Sequence, residues 1–242
     1  GGSGDFAESA ALSVTEQIEK GKERVKNKIK NGKYIAYFQA FTNTYAPVEI
    51  LRKKFAEAIN HPDIVMLSVA TRPDCLPDEV IELLKELNRI KPVSVELGLQ
   101  TIHEKTAAYI RRGYPLACYD SAVKRLKAAD IDTVCHIILG LPGESEQEML
   151  ESVEYACKSG INGIKLQLLH VLRGTDLAAD YAAGKFEVLT MEEYLKIIKQ
   201  CLEIIPKNIV IHRLTGDGAK KDLIAPLWSA DKKKVLNAIS KL

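Results

Sequence analysis

The chain has 242 residues, of which 46% are hydrophobic and 27% are charged, so it is long enough to bury a substantial core as one α/β domain. Its net charge is only +2, which gives no strong electrostatic case for a nucleic-acid or membrane partner. Its longest apolar runs are shorter than ten residues, whereas a helix that spans a bilayer needs roughly 20. We therefore expect a cytoplasmic protein with no membrane partner.

Five cysteines are present, and their spacing argues against a metal or disulfide framework. No two of them form a Cys-x-x-Cys arrangement, and an odd number cannot all pair in disulfides. The spacing therefore predicts buried apolar thiols and no metal site built from this chain. The cysteines are Cys75, Cys118, Cys135, Cys157 and Cys201.

Apolar runs of strand length recur along the chain, and helical patterns separate them. The five runs lie near Tyr34, Ile64, Val93, Asp132 and Gly163. The helix-start signals are Ser13–Glu16 (a capping box), Pro47, Pro77, Pro115, Ser145 and Thr190–Glu193 (a second capping box). The first helix is predicted to continue to about Ile29. Near-continuous apolar strands separated by helices predict a parallel sheet of right-handed βαβ units.

The loops after the strands distinguish an open doubly wound sheet from a barrel. No strand-to-helix turn carries the Gly-x-Gly-x-x-Gly loop of a Rossmann sheet or a Walker sequence. Polar residues instead stand near the ends of nearly every strand, as a barrel active site requires. They are Gln39, Thr42, Thr71, Arg72, Glu96, Gln100, His136, Gln167 and His170. The pattern therefore predicts an α/β barrel.

The sequence pattern changes after Gly184. Only five strands precede that residue, so we expect residues 1–184 to form a partial barrel that lacks at least one strand. "IVIHRLTGDG" then predicts a short strand that runs into a turn, and a basic helix ends the chain. We expect residues 185–242 to be a small C-terminal extension packed on the barrel.

Three groups of residues are suited to chemistry, and each also has a purely structural interpretation. Gln100 and Arg112 would suit a ligand with hydroxyls and a carboxylate, or they are a polar strand end and a surface arginine. The Leu-Pro-Gly turn after Gly140 exposes main-chain groups suited to a flat heterocycle, or it is a tight turn. Arg72 and Asp74 either form an ion pair that holds their loop or contact a substrate.

Two histidines and a lysine leave a further alternative open. His136 and His170 lie on different strands and are either core histidines or, with Lys165, bases of a barrel lyase that needs no cofactor. No third histidine, carboxylate or cysteine is grouped with the histidines in the sequence, so we predict no metal there.

Five longer motifs follow one another along the chain, and their order is informative. They are "YIAYFQAFTNTYAP", "ATRPDCLPDEV", "VELGLQTIHEKTAAYIRRGY", "HIILGLPGES" and "LHVLRGTDLAADYAAGKF". In that order they resemble the radical SAM superfamily, most closely a bacterial branch similar to the radical-SAM part of the elongator catalytic subunit. "IVIHRLTGDG" and "LIAPLW" resemble the C-terminal extension of that branch.

This resemblance implies a fold, a chemistry and partners. The fold would be a partial (β/α)6 TIM-like barrel, without its first strand in this chain, that binds S-adenosylmethionine beside a 4Fe-4S cluster. Reductive cleavage would give a 5′-deoxyadenosyl radical that abstracts hydrogen from a substrate. A reductant protein is implied, and kinship to the elongator subunit implies tRNA as a substrate. Lys232–Lys234 either touches phosphates or forms a solvated helix face.

Residue by residue, the resemblance assigns positions near the strand ends to S-adenosylmethionine. These positions are Gln39, Ala40, Phe41, Thr42, Glu96, Gln100, Arg112, His136, Gly140, Leu141 and His170. The first four match a glycine-rich motif that holds the methionine amino group through main-chain oxygens, although its glycines are absent here. Ala70 stands where relatives have a glutamate that binds ribose, so the ribose is left to Gln100 and Glu96.

The remaining assignments concern the two ends of the ligand. Arg112 matches a contact to the methionyl carboxylate, and Gly140 with Leu141 matches the motif at the adenine. His170 matches the end of the sixth strand. No residue of this chain matches a metal ligand.

None of the cysteines falls in the Cys-x-x-x-Cys-x-x-Cys motif that holds the cluster. In this branch the motif is followed directly by a stretch similar to "GGSGDFAE", with which the chain opens. The resemblance therefore implies cluster ligands upstream of Gly1, and we expect the chain to be inactive without them. We interpret the opening glycines as a natural turn rather than a cloning linker. A non-catalytic nucleotide-binding barrel remains an alternative.

Overall fold

The computed structural model describes residues 9, 11–27, 29, 32–39, 41–216 and 218–242. The predictions for "GGSGDFAE" and for Ala40 therefore lie outside the described residues.

Helices and strands alternate as the sequence predicts. The helices are α1 (Val14–Val25), α2 (Val48–Ile59), α3 (Asp78–Asn88), α4 (Glu104–Tyr109), α5 (Leu116–Ala128), α6 (Glu146–Lys158), α7 (Asp176–Ala182), α8 (Met191–Ile204) and α9 (Lys232–Ile239). The strands are β1 (Tyr34–Phe38), β2 (Ile64–Thr71), β3 (Val93–Gln100), β4 (Asp132–Leu139), β5 (Gly163–Leu168), β6 (Val171–Leu172), β7 (Val210–Arg213) and β8 (Leu223–Ala225).

Six strands form the main sheet in the order β1-β2-β3-β4-β5-β7, while β6 and β8 form a separate antiparallel pair. The five predicted strands are confirmed at their expected positions. Strand β7 lies in the segment expected to be an extension, and it pairs in parallel with β5, with Gly163 opposite Val210. The extension thus contributes to the sheet itself, and the division of the chain at residue 184 stays a prediction.

The chain divides into two compact units. The first, called here the N-terminal unit, comprises Ser3–Leu97 and Ser121–Thr133, and the C-terminal unit contains Gly98–Asp120 and Val134–Leu242. In the N-terminal unit, α2 buries one face that includes Phe55, and the Phe55 ring packs edge-on against Phe38 with their centroids 5.0 Å apart. In the C-terminal unit, α8 buries Tyr194, Ile197 and Ile198.

Capping residues determine where three helices begin. The predicted capping boxes at α1 and α8 are confirmed, and a third occurs at α6, where Ser145 and Glu148 exchange hydrogen bonds. Each box satisfies main-chain N–H groups that have no partner inside the helix. Helix α1 ends at Val25, earlier than predicted. Because the helix buries no residue, packing does little to stabilise a further turn.

Strand β3 shows how the sheet separates apolar from polar side chains. Its alternate residues Val93, Val95, Leu97 and Leu99 are at most 1% exposed. Successive side chains of a strand point to opposite faces, so Glu96, Gly98 and Gln100 share the other face. The strand therefore buries one apolar face and carries polar groups on the other toward its C-terminal end.

No helix among the residues described is both long and apolar enough to cross a membrane.

Two positions of β2 test the burial of this sheet. Leu67 is completely buried, whereas Val65 on the same strand is 44% exposed. We expect Leu67→Ala to lower the free energy of unfolding by about 2–5 kcal/mol, because it removes buried methyl groups and leaves a cavity. Val65→Ala should cost less than about 1 kcal/mol. Urea denaturation followed by circular dichroism measures both, and equal losses would contradict the difference in burial between the two positions.

Candidate functional site

The loop after β1 belongs to the N-terminal unit and holds three of the predicted site residues, Gln39, Phe41 and Thr42. Its main chain is anchored by Asn43, whose side-chain amide donates to the carbonyl oxygens of Phe38 and Ala70, each at 2.9 Å. Phe41 has a φ of 58° and is 82% exposed. Both the positive φ and the exposure of the aromatic ring to water are energetically unfavourable. The loop therefore presents its aromatic side chain from a well-held main chain.

Glu96 lies on the polar face of β3 and is only 5% exposed. Its carboxylate accepts a hydrogen bond from the Tyr37 hydroxyl at 2.7 Å and another from the Ser68 hydroxyl at 3.1 Å. Hydroxyl donors thus compensate part of the cost of burying the charge. The predicted contact between Glu96 and a ribose stays a prediction, and it would require a ligand to enter this buried region.

The geometry of Arg72 and Asp74 distinguishes between an ion pair that holds their loop and a contact to a substrate. The guanidinium donates to both carboxylate oxygens of Asp74, from Nε at 2.9 Å and from Nη2 at 2.7 Å. This pairing lowers the pKa of Asp74. A two-point ion pair of this kind favours the interpretation in which the two residues hold their own loop.

Gln100 ends β3 in the C-terminal unit and has an unsatisfied acceptor. Its Oε1 atom is buried and has no hydrogen-bond partner among the described residues. The residue has a φ of 68°, and its amide nitrogen lies 2.6 Å from where a Cβ on Gly98 would stand. A glycine at 98 is therefore needed for this side-chain position. A buried acceptor without a donor is costly unless a ligand or water supplies the donor.

The Arg112 side chain lies at the same strand end, but the N–H donors of its guanidinium already have partners within the protein. Nη1 donates to the carbonyl of Thr101 at 2.6 Å, and Nε donates to the carbonyl of Tyr114 at 3.0 Å. Nη2 pairs with the Glu104 carboxylate at 2.9 Å, and the side chain is only 1% exposed. The structure therefore places the Gln100 and Arg112 side chains near the end of β3, but a ligand carboxylate would have to replace Glu104.

Gly140 ends β4 with a φ of 83°, a conformation that favours glycine. Its N–H donates to the sulfur of Met149 at 3.0 Å, and a Cβ at this position would contact the Leu189 side chain at 3.0 Å. The following residue, Leu141, is 3% exposed. The turn is thus closely packed, and its predicted role at an adenine stays a prediction.

His136 and His170 each accept a hydrogen bond at Nδ1. The side-chain amide of Gln167 lies 3.0 Å from the Nδ1 atom of His136, and the main-chain N–H of Gly218 donates to that of His170 at 3.1 Å. An imidazole that accepts at Nδ1 carries its proton on Nε2 when it is neutral.

The sequence analysis missed the loop that follows β7. A Cβ at Gly216 or Gly218 would lie within 3.0 Å of the His170 imidazole, so a larger residue at either position would force the imidazole to shift. The two glycines of "TGDG" were the available signal, but their partner is 46 or more residues earlier in the chain. This loop sets the orientation of His170.

The described residues contain one group of three side chains with metal-ligating atoms close together: Glu19, His61 and Asp63. The Lys22 ammonium lies among them, 2.9 Å from Glu19 and 2.7 Å from Asp63, and it lowers the pKa of both carboxyl groups. The group is an ion-pair cluster that connects α1 to the start of β2.

The five thiols are free cysteines rather than disulfides. Cys135 and Cys201 are fully buried, and burial raises the pKa of each to about 12. Burial also raises the pKa of Cys157 to about 11, and it raises the pKa of Cys75 above its ordinary value. These thiols are protonated at neutral pH, whereas a metal requires thiolates.

Comparison with known proteins identifies the family models that the chain matches. Residues 8–156 match the model described as the Radical SAM superfamily, and residues 161–242 match the Radical_SAM C-terminal domain.

The proteins that match at the sequence level include one from Bacillus subtilis and one from Methanocaldococcus jannaschii. Over 240 residues the chain is 47% identical to "Uncharacterized protein YtqA" of Bacillus subtilis (strain 168), a match that covers 99% of this chain and 74% of that protein. Over 169 residues it is 27% identical to the tRNA uridine(34) acetyltransferase of Methanocaldococcus jannaschii, which covers 68% of this chain and 30% of that protein.

The solved structures that match the fold include one that covers most of this chain. It is that of the archaeal Methanocaldococcus infernus Elp3 with an N-terminal deletion, with a TM-score of 0.73 at 20% identity over 94% of this chain and 58% of that one. The predicted α/β fold class, a partial barrel, is confirmed by this match. The chain therefore spans under two thirds of that solved structure.

The loop after β4 contains a carboxylate whose titration can be measured. Burial raises the pKa of Glu144 above its ordinary value of 4.5, although the Thr101 hydroxyl donates to it. Above pH 4.5 the unfolded chain loses this proton more readily than the folded one, so wild-type stability falls relative to Glu144→Gln as the pH rises. Urea denaturation between pH 4 and pH 8 measures this difference.

A nearby glutamate provides a matched control with the opposite sign. The main-chain N–H of Ser145 lowers the pKa of Glu148. Wild type should therefore gain stability relative to Glu148→Gln as the pH rises through the region below 4.5. The same sign for both variants would contradict the two environments.

Proposed function

Because the chain belongs to the radical SAM superfamily, we propose that it forms the cofactor-binding barrel of an enzyme that acts through S-adenosylmethionine. The reaction is reductive cleavage to a 5′-deoxyadenosyl radical, which abstracts a hydrogen atom from a substrate. In such enzymes the bound groups perform the difficult chemistry, while the protein positions them and excludes water.

The observation that carries the proposal is the buried Oε1 atom of Gln100, which has no donor among the described residues. It stands at the C-terminal end of a parallel strand, where barrel enzymes bind their ligands. A ribose hydroxyl is a donor of suitable size for a buried amide oxygen. Gln100 is therefore the residue of this chain that best fits the nucleoside part of S-adenosylmethionine.

In the C-terminal unit, a guanidinium, main-chain groups and two imidazoles would make the other predicted contacts to the ligand. Arg112 would bind the methionyl carboxylate in exchange for Glu104, which already places a carboxylate against its guanidinium at 2.9 Å. The Gly140–Leu141 turn would bind the adenine through main-chain groups. His136 and His170, each held at Nδ1, would present Nε2 to the ligand.

In the N-terminal unit, the well-held loop after β1 would bind the methionine amino group. The main-chain oxygens of residues 39–42 would accept from that group, and Glu96 would contact the ribose. Asn43 supports this role because it anchors the loop at two carbonyl oxygens without involving the proposed contacts.

The superfamily also implies a 4Fe-4S cluster, which supplies the electron for cleavage when it is bound. The residues that the structure describes do not fit that cluster, because their thiols are dispersed and burial raises the pKa of four of them, Cys75, Cys135, Cys157 and Cys201. We therefore expect its ligands in a Cys-x-x-x-Cys-x-x-Cys segment upstream of Gly1. We expect the 242-residue chain by itself not to cleave S-adenosylmethionine.

We propose tRNA as the substrate class, because the relative that is 27% identical is named for its action on tRNA. A reductant protein would supply electrons, and a cytoplasmic location would suit both partners. A second candidate, a nucleotide-binding barrel without catalysis, is favoured by the poor fit of the described thiols to a cluster.

The reaction itself can be tested on the protein with its natural upstream segment. After anaerobic reconstitution with iron and sulfide and reduction with dithionite, addition of S-adenosylmethionine should yield 5′-deoxyadenosine, measured by chromatography. The 242-residue chain treated in parallel should yield none. Ligand binding without cleavage, with the cluster shown spectroscopically to be present, would instead support the non-catalytic barrel.

The role of Gln100 has a matched control in Gln200, whose Oε1 atom is also buried without a partner among the described residues but lies on α8. Gln100→Ala should weaken binding of S-adenosylhomocysteine by about 3- to 10-fold, which corresponds to one lost hydrogen bond. Gln200→Ala should leave binding unchanged. Isothermal titration calorimetry measures both, and thermal unfolding verifies that the variants fold. Equal effects of the two substitutions would contradict the assigned role.

A further inference from the structure

The positive charge of the chain is concentrated at its C-terminal end. Residues 219–242 contain six lysines and two aspartates, a net charge of +4, whereas the whole chain carries only +2. The rest of the chain therefore has a net charge of −2, the difference between these two values. Such asymmetry is a sign of an anionic partner that the overall charge conceals.

Three of these lysines lie at helix α9 and just beyond it. Lys233 and Lys234 are in the first turn of the helix, and Lys241 lies two residues after its last residue, Ile239. All three are exposed. The helix packs into the protein through Val235 and Ile239, which are 2% and 8% exposed. The burial of these two residues thus fixes the orientation of the helix.

The three lysines line an open groove in the C-terminal unit. The groove has a volume of about 550 Å³, and its lining comprises Met191, Asp231, Lys233, Lys234, Asn237, Ala238 and Lys241. Asp231 is its one acidic residue, and it caps α9 by accepting from the main-chain N–H of Lys234. No carboxylate of the described residues forms an ion pair with the ammonium groups of Lys233, Lys234 or Lys241.

The position of the lysines is unfavourable for the helix itself. Lys232–Lys234 occupies the first turn of α9, where the helix dipole is positive and disfavours further positive charge. Helices α3, α6 and α8 follow the favourable rule and begin with acidic side chains. Helix stability therefore does not explain these lysines, whereas an anionic partner would compensate both the dipole and their mutual repulsion.

We propose that this lysine groove binds the phosphate backbone of RNA. The proposal rests on the proposed function, because it names the surface that would hold a tRNA substrate. The eight residues of α9 span about 12 Å along the helix axis. A nucleic-acid strand presents one phosphate per roughly 3.4 Å of duplex axis, so this length faces about three phosphates. Lysine binds phosphate as a point charge, and the contact is therefore independent of base sequence.

Fluorescence anisotropy with labelled bulk tRNA tests the groove, using the protein with its natural upstream segment. The triple variant Lys233→Gln, Lys234→Gln and Lys241→Gln should bind about 30-fold more weakly near 0.1 M salt. The slope of log K against log salt concentration should become shallower by about one per lysine. The variant should still cleave S-adenosylmethionine at the wild-type rate in the absence of substrate.

A matched control removes the same charge elsewhere. Lys53→Gln, Lys54→Gln and Lys127→Gln alter exposed lysines on α2 and α5, and binding should stay within about threefold of wild type. Equal losses in the two triple variants, or unchanged tRNA binding in the groove variant, would overturn the proposal. So would groove-dependent binding to vesicles of anionic phospholipid by a protein that does not bind tRNA.

The test separates this surface from the proposed chemistry. Groove-dependent tRNA binding by a protein that does not cleave S-adenosylmethionine would support the surface and reject the reaction. Cleavage together with tRNA binding that ignores the three lysines would reject the surface and leave the reaction intact.

Discussion

The structure depends on one constraint, the two-residue alternation of side chains along its parallel strands. In β3 the residues Val93, Val95, Leu97 and Leu99 are almost completely buried, and Glu96, Gly98 and Gln100 fall between them. The next strand alternates in the same way, with fully buried Cys135, Ile137 and Leu139 on either side of His136 and Ile138. One face of each strand supplies the hydrophobic stabilisation, so the other is free to carry functional groups.

Burial explains why the identity of a residue is a poor guide to its availability. Arg112 has the guanidinium that a ligand carboxylate needs, yet three of its bonds hold the chain around the end of β3. The Gln100 side chain carries no charge, but its amide oxygen is buried and has no donor in the part of the chain that the structure describes. The amide is therefore the stronger candidate for recognition, since a ligand would satisfy it without breaking an existing bond.

The cysteines illustrate the same principle for metal chemistry. The spacing of the five thiols in the sequence already argued against a metal site, and burial adds a physical reason because it keeps Cys135 and Cys201 protonated. The proposed cofactor chemistry therefore depends on ligands that the described part of this chain does not supply. What the chain supplies is a set of polar side chains near the ends of its strands.

Local features of the fold were predictable, and features that depend on distant partners were not. The five strands and the capping boxes follow from patterns within about ten residues, so each was found at its expected place. The pairing of β7 with β5 was missed because a four-residue strand has no signal for its sheet. The contact of Gly216 and Gly218 with His170 was missed for a similar reason, since it joins segments far apart in the chain.

The sequence by itself determined the class of fold, the superfamily and the position of polar residues near the strand ends. These follow from local periodicity and from motifs whose order is visible in the chain. Only the tertiary structure decided that the guanidinium of Arg112 pairs with Glu104, that the oxygen of Gln100 has no donor among the described residues and that Lys233, Lys234 and Lys241 line one open groove. Hydrogen-bond partners and burial are properties of residues that meet in space, and sequence spacing does not specify them.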